Sequence, residues 1–113
     1  MYTVAVSKWD FSKGKSVDKK ILTIDGKSVA EVRKKILNKA LKKYSDPVGF
    51  DFNIYNPTEH TNDPVMTKFN GKWVTLGVEK GHGHIYANGI VWITPKHRYK
   101  LDKNGKIIGQ SGW

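Results

Sequence analysis

The segment from Ser28 to Tyr44 constrains the fold more than any other part of the chain, because it has the clearest helical pattern. Ser28 and Glu31 have the spacing of a capping box, in which each side chain satisfies a free backbone N–H at a helix start. Apolar residues recur along one helical face, namely Val29, Val32, Ile36, Leu37, Ala40, Leu41 and Tyr44. Asp46-Pro47 then ends the pattern. A helix with one apolar face must bury it against a second element.

Most of the remaining chain has the pattern of β-strands. Residues 2–9 alternate apolar and polar side chains, residues 21–24 form a short run that ends at a turn, and residues 50–55 alternate again. Asn-Gly dipeptides at 70–71, 88–89 and 104–105 lie between strand-like runs, and Asn-Gly accommodates the positive φ angles of tight hairpins. Residues 12–16 predict a flexible loop and residues 56–65 a surface loop, because both are rich in turn formers.

These patterns together predict one α+β domain over residues 1–113. A single central helix packs on a largely antiparallel sheet of five to seven strands, in the order ββα followed by an antiparallel meander. A chain of 113 residues is long enough to bury one core. We expect no second domain, because no repeat or long linker interrupts the pattern.

The composition excludes several classes of protein. The chain has no cysteine, which rules out disulfides, thiolate metal ligands and a cysteine nucleophile. No apolar run approaches the roughly 20 residues of a membrane-spanning helix, and charges follow Met1 too soon for a signal peptide. Phosphate-binding glycine loops and serine elbows are missing from the sequence. We therefore expect a cytoplasmic protein with no membrane segment and no cofactor.

The strongest functional signal is positive charge. Twenty Lys and Arg residues against ten Asp and Glu residues give a formal net charge of +10. The excess lies in residues 1–45 and 81–113, whereas residues 46–80 are slightly acidic. Such a field attracts nucleic acid, an anionic membrane or an acidic protein surface. A lysine-rich surface that serves only solubility is the alternative explanation.

Two groups of basic residues are candidates for contacts with nucleic acid. One group lies on the outer face of the predicted helix: Lys34, Lys35, Lys39 and Lys42. The other group follows the last strands: Lys96, Arg98, Lys100, Lys103 and Lys106. Trp92, Tyr99 and Trp113 are interleaved with the second group, and such a mixture suits phosphate neutralisation and base stacking. Alternatively, Trp92 and Tyr99 point into the core, and the lysines only protect a sheet edge.

Arg33 interrupts the apolar face of the predicted helix. It follows Val29 by four residues and precedes Ile36 by three, so it projects from the same face. An unpaired guanidinium in the core would be costly, which leaves three outcomes for this side chain. It extends to solvent, pairs with a buried carboxylate, or faces a partner. We predict the first, because long basic side chains commonly extend to water.

Residues 79–84, Glu-Lys-Gly-His-Gly-His, have the composition of a loose turn with two histidines. His82 and His84, together with Glu79 and Arg98, would supply the residue types of a metal-independent ribonuclease. A metal site needs three or four ligands. The other candidate ligands lie in the separate 56–65 loop: Glu59, His60 and Asp63. We predict no metal site, and we expect the histidines to be exposed and out of hydrogen-bonding reach of Glu79 and Arg98.

The function predicted from the sequence is non-enzymatic binding of DNA or RNA by an accessory or regulatory protein. Binding should be weakly selective, because the charge is mainly lysine and lacks the arginine clusters that contact guanine through two hydrogen bonds. An alternative is a protein-interaction module or inhibitor, such as one encoded by a phage or mobile element, that docks on an acidic partner. A second alternative is a small metal-independent ribonuclease.

Overall fold

The predicted helix is present, and its ends follow the capping pattern with one change. The computed structural model describes residues 1–59 and 64–111, and its helix α1 spans Val29–Lys43, with Ser28 as N-cap and Tyr44 as C-cap. Ser28 Oγ accepts from the Glu31 backbone N–H at 3.3 Å. The Glu31 carboxylate accepts from the Lys27 N–H at 2.8 Å, one residue before the cap, and this bond lowers the pKa of Glu31. No helix among the described residues is long and apolar enough to cross a membrane.

Two strands precede the helix in the chain and six follow it, and all of their pairings are antiparallel. They are β1 (Tyr2–Asp10), β2 (Lys15–Ile24), β3 (Phe50–Asn56), β4 (Val65–Phe69), β5 (Lys72–Tyr86), β6 (Gly89–Ile93), β7 (Arg98–Leu101) and β8 (Ile107–Ser111). The sheet order is β2-β1-β3-β5-β6-β7-β8, and β4 pairs with the first part of β5. The predicted fold class and element order are confirmed, with eight strands instead of five to seven.

The three Asn-Gly dipeptides lie at hairpin connections, as predicted. Asn70 and Gly71 have φ angles of 51° and 79° and join β4 to β5. The second dipeptide joins β5 to β6, which begins at Gly89, and the third lies between β7 and β8. The predicted loop at 12–16 is instead a short turn, because Asp10 Oδ1 accepts from the N–H groups of Ser12 and Lys13 and β2 already begins at Lys15. Residues 60–63 of the predicted 56–65 loop lie outside the described residues.

The helix packs on one face of the sheet, here called the helix face. Val32, Ile36, Leu37 and Ala40 are buried there against apolar side chains from several strands. The strand residues of this core are Val4, Ile24, Phe50, Phe52, Ile54, Ile85, Ile90, Trp92 and Leu101. Each fully buried large aliphatic side chain contributes about 1.5 to 3 kcal/mol before entropy costs, so this face supplies the main stabilisation. The opposite side of the sheet is called the open face.

Arg33 is buried, so the prediction that it extends to solvent is wrong. Only 7% of the residue is exposed, and its Nε donates to the Gly105 carbonyl at 3.1 Å. The guanidinium lies 5.0 Å from the Trp92 ring centroid, in range of a cation–π contact. Burial lowers the pKa of Arg33. The buried guanidinium is therefore stabilised by the Gly105 carbonyl, in the turn between β7 and β8, and by the Trp92 ring. The local sequence pattern reveals neither contact.

Candidate functional site

The Gly81–His84 segment lies in the middle of β5 and is not a turn, which corrects the prediction. Gly81 and Gly83 face the helix side, where the Phe52 and Trp92 rings stack with centroids 5.8 Å apart. A Cβ on Gly81 would lie 2.4 Å from Trp92, and one on Gly83 would lie 2.2 Å from Phe52. The glycines therefore make room for the two rings. Because side chains alternate along a strand, the histidines between and after them project from the open face.

His84 forms a pair with Asp51 across the neighbouring strand. The two residues are opposite each other in the β3–β5 register, and His84 Nδ1 hydrogen-bonds Asp51 Oδ1. The carboxylate oxygen can only accept, so Nδ1 carries the proton and donates it. Both side chains are partly exposed, 28% for His84 and 38% for Asp51. The pair is thus held by packing on one side and open to solvent on the other.

His82 forms a second pair of the same kind with Glu79, so the prediction that these side chains are out of reach is wrong. His82 Nδ1 lies 3.0 Å from Glu79 Oε1, and Asn53 Nδ2 donates to the same oxygen at 3.2 Å. Residues three apart in a regular strand point to opposite faces. The β3–β5 register shifts between Ile54 and Tyr55, and this irregularity brings Glu79 to the side of His82.

The charge of Glu79 also acts on Tyr55, its partner in the register. Burial and then the neighbouring Glu79 charge raise the pKa of Tyr55. The neutral, protonated form of Tyr55 is therefore favoured beside the Glu79 carboxylate.

The two pairs are adjacent. The ring centroids of His82 and His84 are 5.2 Å apart in an edge-to-face arrangement, and the Tyr86 ring lies 5.8 Å beyond His84. Each histidine uses Nδ1 for its carboxylate, which leaves Nε2 for another group. Within residues 1–59 and 64–111, no three His, Asp or Glu side chains are arranged to hold a metal ion. Two carboxylate-oriented imidazoles on one surface are suited to proton transfer.

An aromatic groove borders the Asp51–His84 pair. We use this name for the depression of about 370 Å³ lined by Trp9, Phe11, Val48, Gly49, Asp51, His84, Ile85 and Tyr86. Trp9, Phe11 and Tyr86 are 40%, 65% and 44% exposed, which is high for large aromatic side chains. Trp9 is held in place by its backbone N–H, which donates to Gly49 O at 2.9 Å. The groove has the size and lining of a site for a planar ring.

A cationic groove lies on the other side of Tyr86. This depression of about 250 Å³ is lined by Tyr86, Asn88, Gly89, Ile90, Val91, Arg98, Lys100, Leu101 and Ile108. Lys100 is in register with His84 across Val91, and Arg98 is in register with His82 across Ile93. Each cation is therefore two strand spacings from a histidine, about 10 Å between Cα atoms. Tyr86 lines both grooves and lies against His84, so the two grooves share a wall beside the Asp51–His84 pair.

The other basic residues predicted to contact nucleic acid lie on different surfaces. Lys34, Lys35, Lys39 and Lys42 are exposed on the outer side of α1, away from the open face. Lys96 lies between β6 and β7, whereas Lys103 and Lys106 lie between β7 and β8, and Lys106 lines a surface depression with Lys34. The nine predicted residues therefore do not form one surface.

The interleaved aromatic residues do not form a stacking surface in the described part of the chain. Trp92 is 2% exposed and Tyr99 packs against the core, as expected when strand side chains alternate. Trp113 lies outside the described residues, as do the candidate metal ligands His60 and Asp63. Glu59 instead pairs with Lys80, at 2.8 Å.

Sequence reasoning missed Asp51, Trp9, Phe11 and Tyr86. Asp51 had one local signal, because it is an outward-facing acid in an alternating strand. Its contact with His84 depends on the pairing of β3 with β5, which are separated by the β4 hairpin. Trp9 and Phe11 reach Tyr86 only because β1 pairs with β3. No local pattern records these pairings.

The fold and the site define an α+β domain whose sheet is packed by a helix on one side and carries paired histidines and carboxylates on the other. No protein-family model matches the chain, and no curated protein or solved structure matches it. A functional hypothesis for this protein therefore rests on the geometry of the open face.

Proposed function

We propose that this protein binds single-stranded nucleic acid across the open face of its sheet. The observation that carries the proposal is the meeting of two grooves at Tyr86, one aromatic and one cationic. A nucleic acid strand repeats the same two features, since each nucleotide has a planar base and a charged phosphate. A base stacks in the aromatic groove while the neighbouring phosphate lies in the cationic groove.

A single strand fits this surface better than a duplex. Exposed aromatic side chains bind bases by stacking, and bases in a duplex already stack on one another. Trp9 and Phe11 therefore favour unpaired bases. Stacking is tolerant of sequence, and lysine contacts phosphates without reading bases, so binding is weakly selective.

The lysines on the outer side of α1 have a different role in this proposal. They lie on the opposite side of the molecule from the open face, so one short strand does not contact both surfaces. Their charge contributes to the net charge of +10, which raises the rate of encounter with polyanions. This contribution is long-range and weakens as salt screens it.

The test is a fluorescence-anisotropy titration with single- and double-stranded probes at two salt concentrations. A 2′-O-methyl RNA strand and single-stranded DNA serve as probes, because neither has a free 2′-hydroxyl. We expect both to bind more tightly than a duplex of the same sequence, with affinity falling steeply as salt increases. No binding of either strand at low salt would remove the proposal.

Matched variants locate the contact surface. Trp9→Ala should weaken binding by about 5- to 100-fold, the usual range for loss of one stacking contact. Trp73→Ala is the control, because Trp73 is 68% exposed on β5 in the part that pairs with β4. Lys100→Ala should reduce the slope of log affinity against log salt by about one. A larger loss from Lys39→Ala than from Lys100→Ala would move the contact to the helix.

A protein partner is the second candidate, favoured by the β4–β5 hairpin. Met66 and Trp73 are 51% and 68% exposed there, and the register places them two residue pairs apart, diagonally across the same face of the hairpin. Aromatic and methionine side chains are enriched where proteins meet. This candidate is supported if a protein from a nuclease-treated lysate binds the wild type and does not bind Trp73→Ala. A partner retained by Trp73→Ala would argue against this hairpin.

A further inference from the structure

We propose that the Asp51–His84 and Glu79–His82 pairs form a metal-independent RNA-cleaving site, with His84 as general base and His82 as general acid. This inference rests on the proposed binding of a single strand to the open face. It goes beyond binding because it assigns a reaction to the two histidines. The substrate class is single-stranded RNA, since the reaction consumes a 2′-hydroxyl proton.

The two imidazoles are oriented by their carboxylates. In each pair the carboxylate accepts from Nδ1, and this bond leaves Nε2 to face the substrate. The ring centroids lie 5.2 Å apart, so both rings can contact the groups around a single phosphate. An acid and a base that act on one phosphate need this spacing, because one accepts a proton while the other donates one.

The surroundings of the two histidines differ, and this difference assigns a role to each. His84 lines the aromatic groove, whereas His82 lies farther along β5 beside Asn53 and Glu79. A base stacked in the aromatic groove brings its own ribose next to His84, so the 2′-hydroxyl of that nucleotide lies at the general base. The leaving 5′-oxygen belongs to the following nucleotide and lies at His82.

The reaction is an internal transfer that needs neither water nor a metal. The 2′-oxygen forms a bond to phosphorus, and its proton passes to Nε2 of neutral His84. The bond between phosphorus and the 5′-oxygen breaks, its electron pair stays on oxygen, and protonated His82 supplies the proton. The products are a 2′,3′-cyclic phosphate and a 5′-hydroxyl, and exchange of protons with solvent restores both histidines.

Positive charge lies on the side of the site where phosphate charge develops. Lys100 and Arg98 are in register with His84 and His82, respectively, one strand beyond Val91 and Ile93. Their long side chains line the cationic groove that meets the site at Tyr86. Cations near a phosphate stabilise charge that builds up on its oxygens in the transition state.

Asp51 and Glu79 are positioning residues in this scheme. Each accepts the hydrogen on Nδ1 and so holds its ring in one tautomer and one orientation. Asn53 in turn donates to the Glu79 oxygen that holds His82. Removal of the Asp51 carboxylate should therefore free the His84 ring to rotate and lower the rate of cleavage, with little effect on binding of the strand.

The experiment incubates the full chain, in the presence of EDTA, with a pool of mixed-sequence single-stranded RNA. Mass spectrometry identifies the ends of any fragments. We expect fragments with 2′,3′-cyclic phosphate and 5′-hydroxyl ends, and no cleavage of a 2′-O-methyl strand. We also expect cleavage to be fastest at an intermediate pH, because one histidine must be neutral while the other is protonated.

Matched histidine variants test the assignment. His84→Ala and His82→Ala should each lower the cleavage rate by at least about 100-fold. His97→Ala is the control, because His97 lies between β6 and β7, where it contacts Gln110. Circular dichroism verifies folding, and His84→Gln is a second variant if His84→Ala fails to fold. Asp51→Asn should lower kcat with little change in KM, and Asp51→Glu should restore part of kcat.

The outcomes separate this inference from the proposed function. Binding of the 2′-O-methyl strand without cleavage of the RNA pool overturns the inference and leaves the proposed binding intact. Absence of both removes both. Cleavage that persists in His82→Ala and His84→Ala, that requires a divalent metal, or that leaves other fragment ends also overturns the inference.

Discussion

The two faces of the same strands differ in what their residues do. On β5, Gly81 and Gly83 leave space for buried rings on the helix face, whereas His82 and His84 meet carboxylates on the open face. On β3, Phe52 is fully buried while its neighbour Asp51 is 38% exposed at the side chain. The residues of the helix face are therefore explained by packing, and those of the open face by hydrogen bonds between polar side chains. Strand alternation links the two, because glycines required by the core fix the histidines on the opposite side.

This contrast implies that stability and function respond to different substitutions. Changes on the helix face should unfold the protein, whereas changes on the open face should leave it folded and alter binding or cleavage. Four predictions test the contrast, in order of decreasing effect.

Leu37→Asp should abolish cooperative unfolding. Leu37 is fully buried on α1, and a carboxylate there loses its hydration and removes an aliphatic side chain from the core. The expected loss exceeds about 4 kcal/mol, a large part of the stability of a small domain. The matched control is Lys39→Asp on the outer side of the helix, which should cost about 1 kcal/mol or less. Thermal denaturation followed by circular dichroism measures both, and a normal transition for Leu37→Asp would contradict the assigned core.

Gly83→Ala should destabilise the protein by about 3 kcal/mol, because the added methyl group overlaps a fully buried ring. Its Cβ would lie 2.2 Å from the ring of Phe52, which is fully buried. His84→Ala, at the next position but on the open face, should cost less than about 1 kcal/mol. Urea denaturation of the two variants compares the faces directly. Equal effects would show that the open face also holds the fold together.

Arg33→Ala should cost about 2 kcal/mol, since it leaves the buried Gly105 carbonyl without its donor and removes the contact with Trp92. Arg33→Lys should recover only part of this loss, because an ammonium group cannot stack as a flat guanidinium does. The measurement is again urea denaturation. Full recovery by lysine would mean that charge, and not the planar group, is what this position needs.

Tyr44→Phe should have the smallest effect on stability, and the size of this effect should depend on pH. Burial and then a hydrogen bond to Asp18 raise the pKa of Tyr44 from 10.0 to about 12. A raised folded-state pKa adds stability that is fully present below pH 10 and lost as pH rises through about 12. After allowance for solvent screening, the free energy of unfolding of the wild type should exceed that of Tyr44→Phe by about 1 kcal/mol at pH 8. The difference should vanish above pH 12, and a constant difference would exclude this linkage.

Much of the fold is predictable because its signals are local. The Ser28 cap, the apolar stripe of α1 and the three Asn-Gly turns each depend on neighbouring residues, and each is found as predicted. The candidate site is less predictable. Residue type alone identifies His82 and His84 as candidates. The glycines next to them suggest a turn, whereas in the structure they make room for the rings of Phe52 and Trp92, which the local sequence does not show.

The sequence by itself determined the helix, the antiparallel hairpins, the positive charge and the absence of cysteine chemistry. Only the tertiary structure decided which side chains meet. The pairing of β3 with β5 joins Asp51 to His84, and an irregularity in that pairing brings Glu79 to His82. Arg33 is buried because a distant turn offers a carbonyl. These contacts join residues far apart in the chain or depend on long-range register, and local periodicity contains no information about either.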